Sequence, residues 1–213
     1  MRSTLSRTLC LTVFSLLTIG AFAQQDFSAD MFNTSDKTPS GTGKIYASKD
    51  KMRFESREQN GHGGTVIMNF STQTMDILMP ERKMYIENPM GQGPGAQRTM
   101  NLFRVGDAAN ACDEWQKWRS ANGKSGGTCR KVGSDSVNGR SAVKYEGTSA
   151  EGEPSTVWID SSLRFPIKWQ GKNNGGELRN IQEGTQAASL FTVPSDYQKM
   201  DLGSMMQHMP SQH

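Results

Sequence analysis

From Gly41 to Pro80 apolar and polar side chains alternate in short runs, the period expected of strands with one dry face and one wet face. Gly43-Lys44-Ile45-Tyr46-Ala47 leads through the turn Ser48-Lys49-Asp50 into Met52-Arg53-Phe54-Glu55, where Met52 and Phe54 share a face and the charges take the other. Gly61-His62-Gly63-Gly64 reads as a turn, Thr65 to Phe70 as a strand, and Met75 to Met79 as the next, closed by Pro80. After the polar turn Glu81-Arg82-Lys83, Met84-Tyr85-Ile86-Glu87 repeats the theme. The pattern predicts an antiparallel meander with one apolar face.

Pro89, Gly91, Gly93, Pro94 and Gly95 break the rhythm, so Asn88 to Gly106 reads as a loop. Asp107 is a suitable N-cap for a helix from Ala108 to about Ala121, in which Ala108, Ala111, Cys112, Trp115 and Trp118 fall on one stripe. Asn122-Gly123 ends it. Strands then resume: Cys129 to Gly133 and Ser141 to Glu146 flank an Asn138-Gly139 hairpin signal. Thr156 to Asp160, Ile167 to Gln170 and Leu178 to Ile181 follow, separated by turns at Ser161-Ser162 and Asn173 to Gly176. The fold class is therefore mainly β (α+β): a strongly curved antiparallel half-barrel of about 9–11 strands with a helix against its open side.

The ends of the chain add an address. Arg2 and Arg7, an apolar run from Leu9 to Ile19, and Ala21-Phe22-Ala23 before Gln24 have the layout of a cleaved secretory signal, residues 1–23. No later segment approaches the roughly 20 apolar residues of a membrane-spanning helix. The expected mature protein is periplasmic, with one domain over residues 24–201 and a patternless, disordered Met/His tail over 202–213. Without Arg2 and Arg7, 22 basic residues face 21 acidic ones. So even a balance argues against nucleic acid or an anionic membrane as the main partner.

Two cysteines remain after Cys10 leaves with the signal. In an oxidising compartment Cys112 and Cys129 are most simply a disulfide. A metal pair or a redox dithiol fits less well, since there is no CxxC and no histidine between Asn69 and Gln207. The histidines, at 62, 208 and 213, lie in a glycine turn and in the tail, so a Ser/His/Asp or Cys/His arrangement would have to be assembled from mobile pieces. Glu55, Glu58, Asp76 and Asp160 fall on polar strand faces or in turns, and the glycine clusters lack the strand-then-helix context of a phosphate loop. The expectation is no enzyme and no cofactor.

Methionine is the unusual component, at 13 residues. Met is flexible and polarizable, and surfaces that accept varied apolar partners use it heavily. One parity of the first meander carries Met52, Phe54, Val66, Met68, Met75, Ile77 and Met79, which predicts an apolar concave face closed by Trp115 or Trp118 from the helix. That face would hold a lipid, an acyl chain or another hydrophobic ligand. The rival reading is an envelope protein-interaction module whose core is filled by its own side chains. A third uses Met205, Met206, His208 and Met209 of the tail as soft ligands for Cu(I).

Gly41-x-Gly43-x-Ile45-Tyr46, Met52-Arg53-Phe54, Met75-x-Ile77-Leu78-Met79-Pro80 and Leu190-Phe191-Thr192-Val193-Pro194 resemble the periplasmic LolA/LolB-like lipoprotein carriers. Val157-Trp158-Ile159-Asp160, Phe165-Pro166-Ile167-Lys168 and Leu190-Phe191-x-Val193-Pro194-x-x-Tyr197 are more similar to a bacterial branch of that superfamily known only as a domain of unknown function. The resemblance implies a curved half-barrel with an apolar concave face, lidded by helices, which in the carriers holds lipoprotein acyl chains. Two differences stand out. Only Gln24 to Ser40 precede the first motif, with Asp26 to Asn33 reading as a strand where the carriers have a long helix; and Lys49-Asp50 replaces the carriers' Arg-Pro.

Cleavage after Ala23 is expected to leave Gln24 as the first residue of the exported protein. Intact-mass measurement checks this, and retained Met1 or a lipid adduct would contradict it.

Overall fold

The computed structural model describes residues 25–35, 40–56, 63–90 and 105–200. The expected signal, His62, Glu58, the 202–213 tail and most of the Asn88 to Gly106 loop lie outside the described residues. The elements are β1 (Phe27–Asn33), β2 (Ser40–Ala47), β3 (Lys51–Ser56), β4 (Thr65–Asn69), β5 (Thr74–Met79), β6 (Met84–Pro89), α1 (Ala111–Ala121), β7 (Thr128–Val137), β8 (Arg140–Thr148), β9 (Pro154–Asp160), β10 (Pro166–Gly171), β11 (Gly175–Glu183) and β12 (Gln198–Lys199). They form one open sheet of twelve strands, in the order β12-β6-β5-β4-β3-β2-β1-β11-β10-β9-β8-β7.

Two meanders, β2 to β6 and β7 to β11, are joined by β1, which pairs antiparallel with β2 on one side and β11 on the other. The expected strand at Asp26 to Asn33 is thus the centre of the sheet. Asn138 and Gly139 take positive φ, 51° and 80°, and turn β7 into β8 as the Asn-Gly signal required. Gly43 is fixed by contact: a Cβ there would lie 1.8 Å from the Glu55 carbonyl oxygen on β3. The first glycine motif therefore marks where two backbones approach too closely for a side chain.

The sheet curls. Arg140 at the start of β8 reaches both Asp160 at the end of β9 and Glu183 at the end of β11, at 2.5 Å each, and Asn138 Nδ2 donates to the Leu178 carbonyl of β11 at 3.4 Å. In a flat sheet β8 and β11 would be about 14 Å apart. Asp160 is buried and also accepts the backbone N–H groups of Ser162 and Leu163, so it is not the solvated carboxylate that its sequence context indicates. On this inner face Phe27, Ala29, Ile45, Ala47, Met52, Met68, Trp158, Phe165 and Leu178 belong to one core, with the Phe27 and Phe165 rings edge-on at 5.1 Å.

Helix α1 begins at Ala111, three residues later than expected. Asp107 caps a preceding turn instead, accepting from Ala109 N at 2.7 Å, while Glu114 accepts from the backbone N–H groups of Gly106 and Asp107. The larger correction concerns its side. Ala108 and Cys112 pack against Val143, Tyr145 and Ile159, whereas the alternate residues Ala142 and Trp158 of the same strands belong to the inner core. The helix therefore lies on the opposite face of β8 and β9, not against the open side of the half-barrel. The Tyr145 hydroxyl pins it there by donating to the Ala108 carbonyl at 2.7 Å and accepting from Ala111 N at 3.3 Å.

Cys112 and Cys129 are bonded, with Cα atoms 5.5 Å apart, and tie α1 to β7. A loop closed over a separation of 17 residues contributes about 3 kcal/mol through the unfolded chain. Cys112→Ser should lower the melting temperature by roughly 6–12 °C in a domain of this size. Thermal unfolding measures the drop, and an unchanged midpoint would show the bond to be dispensable.

Candidate functional site

Strand register brings the expected apolar residues together. Met52, Met68 and Met75 lie opposite one another across β3, β4 and β5, and Phe54, Val66 and Ile77 form the next row, continued by Ile86 on β6. Met79 pairs with Met84. All seven residues share one face, which is the inner one, because Met52 pairs with Ala47 and Phe54 with Ile45. Burial is graded along the strip. Met52 is 0% exposed and Met68 7%, whereas Phe54, Val66, Met75, Ile77 and Met79 are half-buried.

Trp115 and Trp118 are not part of this strip. They are half-buried on α1, across the sheet from it, and neither belongs to the cluster that seats the helix. Trp115 instead packs under the Arg119 guanidinium, 4.7 Å from the ring centre. The stripe holds for Ala108, Ala111 and Cys112, but the helix is too short and too peripheral to bury the tryptophans as well.

The outer face of the first meander has its own cover. Tyr46, Arg53, Ile67 and Asp76 lie in one cross-strand row, ending at Glu87. The segment after β11 crosses them, with a single 3-10 turn at Ala188–Phe191, and packs Leu190, Phe191, Val193 and Tyr197 against Ile67, Leu78, Tyr46 and Tyr85. Arg53 Nη1 donates to the Leu190 carbonyl at 3.0 Å. The Leu190 to Tyr197 motif is therefore a strap, and its apolar positions are the ones that touch the sheet. The chain then adds β12 beside β6, the one parallel pairing in the described sheet, through Gln198 N to Lys83 O and Met200 N to Tyr85 O, both 2.8 Å. Lys199 pairs with Glu87 at 2.7 Å and Lys83 with Asp196 at 3.0 Å.

Asp76 stands out in that row. Its Oδ1 is buried without a hydrogen-bond partner. Burial, and then the neighbouring Glu87 carboxylate, push its pKa above the ordinary 3.8, and Lys199 only partly offsets them. Glu55, another carboxylate on the polar parity of these strands, is paired with Arg53 at 2.7 Å. A cleft of about 340 Å³ lies between Gly43, Lys44, Ser56, Thr65, Pro80 and Glu81, at the ends of the first strands. Among the described residues no three His, Cys, Asp or Glu side chains converge as metal ligands.

The chain matches no family profile and no curated protein sequence. Its architecture does recur among solved structures. An uncharacterized conserved protein from Thermus thermophilus aligns over 84% of this chain and 91% of its own, at 12% identity and a TM-score of 0.53. The shared fold is what this likeness establishes. Weaker likenesses include MucB in the Pseudomonas aeruginosa MucA/MucB complex, at 14% identity and a TM-score of 0.39 over 83% of this chain and 58% of that one. The Mycobacterium tuberculosis lipoprotein LppX aligns at 12% identity and 0.37, over 76% and 85% of the respective chains. No helix among the described residues is long and apolar enough to cross a membrane.

Because Asp76 binds its proton more tightly folded than unfolded, its ionised form costs stability. That cost is absent below the unfolded value near 3.8 and grows as pH rises through the raised folded value. Asp76→Asn should therefore melt higher than wild type at pH 7, with the advantage fading as pH falls toward 3.8. A pH series of melting curves checks this.

Proposed function

We propose that this protein is a non-enzymatic binding protein of the bacterial envelope that holds the apolar part of a lipid, acyl chain or similar ligand on the inner face of β3 to β6. The carrying observation is the strip itself: seven apolar side chains, four of them methionine, set on one face by register and increasingly exposed toward β5. Met52 and Met68 form its floor, fixed in the core; Phe54, Val66 and Met75 pack against that core while partly exposed, and Ile77 and Met79 extend the strip beyond it. Thioethers on such a surface can adapt to a flexible chain without a preformed, rigid pocket.

The likeness of the Gly41 to Tyr46, Met75 to Pro80 and Leu190 to Pro194 motifs to the LolA/LolB-like carriers supports the same reading, as does a half-barrel fold with its concave side apolar. Periplasmic location follows from the expected signal. Carriage of lipoproteins is not part of the proposal, because the long amphipathic helix of the carriers has β1 in its place. A protein-interaction module remains the rival, favoured by the complete burial of Met52 and the 7% exposure of Met68 within the protein's own core.

A fluorescent fatty-acid probe should bind wild type and be lost in Ile77→Asp while that variant stays folded, because a carboxylate at a half-exposed position keeps much of its water. Met68→Asp should cost several kcal/mol, since the same group there is buried among apolar side chains. Wild type that binds no probe, with Ile77→Asp unfolding like Met68→Asp, would favour the interaction module.

A further inference from the structure

The whole chain is nearly balanced in charge, but its charges are not evenly placed. From Trp115 to Ser134 there are five cations, Lys117, Arg119, Lys124, Arg130 and Lys131, and no carboxylate. The structure gathers this stretch into one unit, the second half of α1, the turn after it and the first half of the edge strand β7, cross-linked by Cys112 and Cys129. Lys117, Lys124, Arg130 and Lys131 are exposed, as is Val132, at 43% one of the two most exposed large apolar residues among the described ones. Trp115 and Trp118 lie half-exposed between the cations and outside the helix's own core.

We propose that this unit is a docking surface for an anionic phospholipid bilayer. Half-exposed indoles flanked by Lys and Arg match the headgroup layer, where such rings enter the interface and cations meet lipid phosphates. An acidic peptide would use the cations but has no need of two half-exposed tryptophans beside a bare valine. The carboxylates around the unit are largely engaged, Glu151, which follows the Ala150 that packs on Gly126, included. Glu146 on β8 pairs with Arg130 at 2.7 Å, Glu114 is held by the Gly106 and Asp107 backbone, and Asp113 lies a turn behind Lys117 on the helix. Arg119 is directed by the Ser125 carbonyl and the Trp115 ring, which leaves Lys117, Lys124 and Lys131 as the freely presented charges. Lys131 lies opposite Tyr145 on the helix side of the sheet, across from the methionine strip, so docking through Lys117, Lys124 and Lys131 would leave that strip unobstructed, whereas Arg130 pairs with Glu146 on the inner parity.

The test is co-sedimentation of the exported, processed protein with vesicles of equal parts phosphatidylglycerol and phosphatidylcholine, and with phosphatidylcholine alone. Wild type should bind the anionic vesicles, be released as salt is raised, and show a blue shift of tryptophan fluorescence that is smaller in Trp118→Ser. Each of Lys117→Gln, Lys124→Gln and Lys131→Gln should weaken binding about fivefold, with melting temperature unchanged because all three sites are exposed. Ile77→Asp should bind vesicles as wild type does, which separates docking from occupancy of the strip. Equal binding to neutral vesicles, no binding to anionic ones at low salt, or a triple lysine variant that binds like wild type would each overturn the proposal. Binding to polyglutamate without binding to vesicles would overturn it in favour of an acidic peptide.

Discussion

The sheet depends on the pairing of β1. Its neighbours are β2, just after it, and β11, whose Glu183 lies opposite Phe27 almost the whole described chain later. Without β1 the two meanders would be separate sheets, each with an unpaired edge at the point where the core is densest. Phe27 and Ala29, 0% and 1% exposed, draw side chains from both meanders into one cluster, and the Phe27 ring meets Phe165 across the seam. The entropy of closing so long a loop grows only slowly with its length, so the seam costs little in stability; it costs time, because β1 cannot complete its pairing until β11 exists.

A sheet this wide has two faces to keep dry, and the protein uses three devices. Curling lets the inner face bury itself, tightened by the Arg140, Asp160 and Glu183 cluster at one end. On the outer face, the strap covers the first meander and α1 covers part of the second. Each cover is fixed by a side chain reaching a backbone carbonyl: Arg53 to Leu190, and Tyr145 to Ala108. Such bonds orient what apolar contact alone would leave free to slide.

What was legible in the sequence was local. Period-two alternation placed Met52 to Met79 on a common face because register preserves parity from strand to strand. Asn138-Gly139 needed only its own backbone preferences, and Cys112 with Cys129 were the only cysteines left to pair. What was not legible depended on distant segments. The stripe of Ala108 and Cys112 says that one helix face is buried, not which side of the sheet receives it, and the side that does carries Val143, Tyr145 and Ile159 rather than the methionine strip expected to meet Trp115 or Trp118. Asp107 is as good a cap for a turn as for a helix, hence the late start of α1. β12 is two residues long, too short for any period, and exists because the strap delivers it to the edge of β6. Asp160 looked solvated because the arginine that neutralises it lies on another strand.

The gradient of exposure along the methionine strip has a chemical consequence beyond packing. A thioether open to solvent is readily oxidised to the sulfoxide, which is polar, whereas one sealed in a core is protected. Met75, Met79 and Met84 stand half-open toward β6, while Met52 and Met68 are enclosed. Oxidation would therefore turn the open half of the strip from oily to wet before it reached the enclosed floor. The same thioethers that make this surface adaptable leave it open to oxidation.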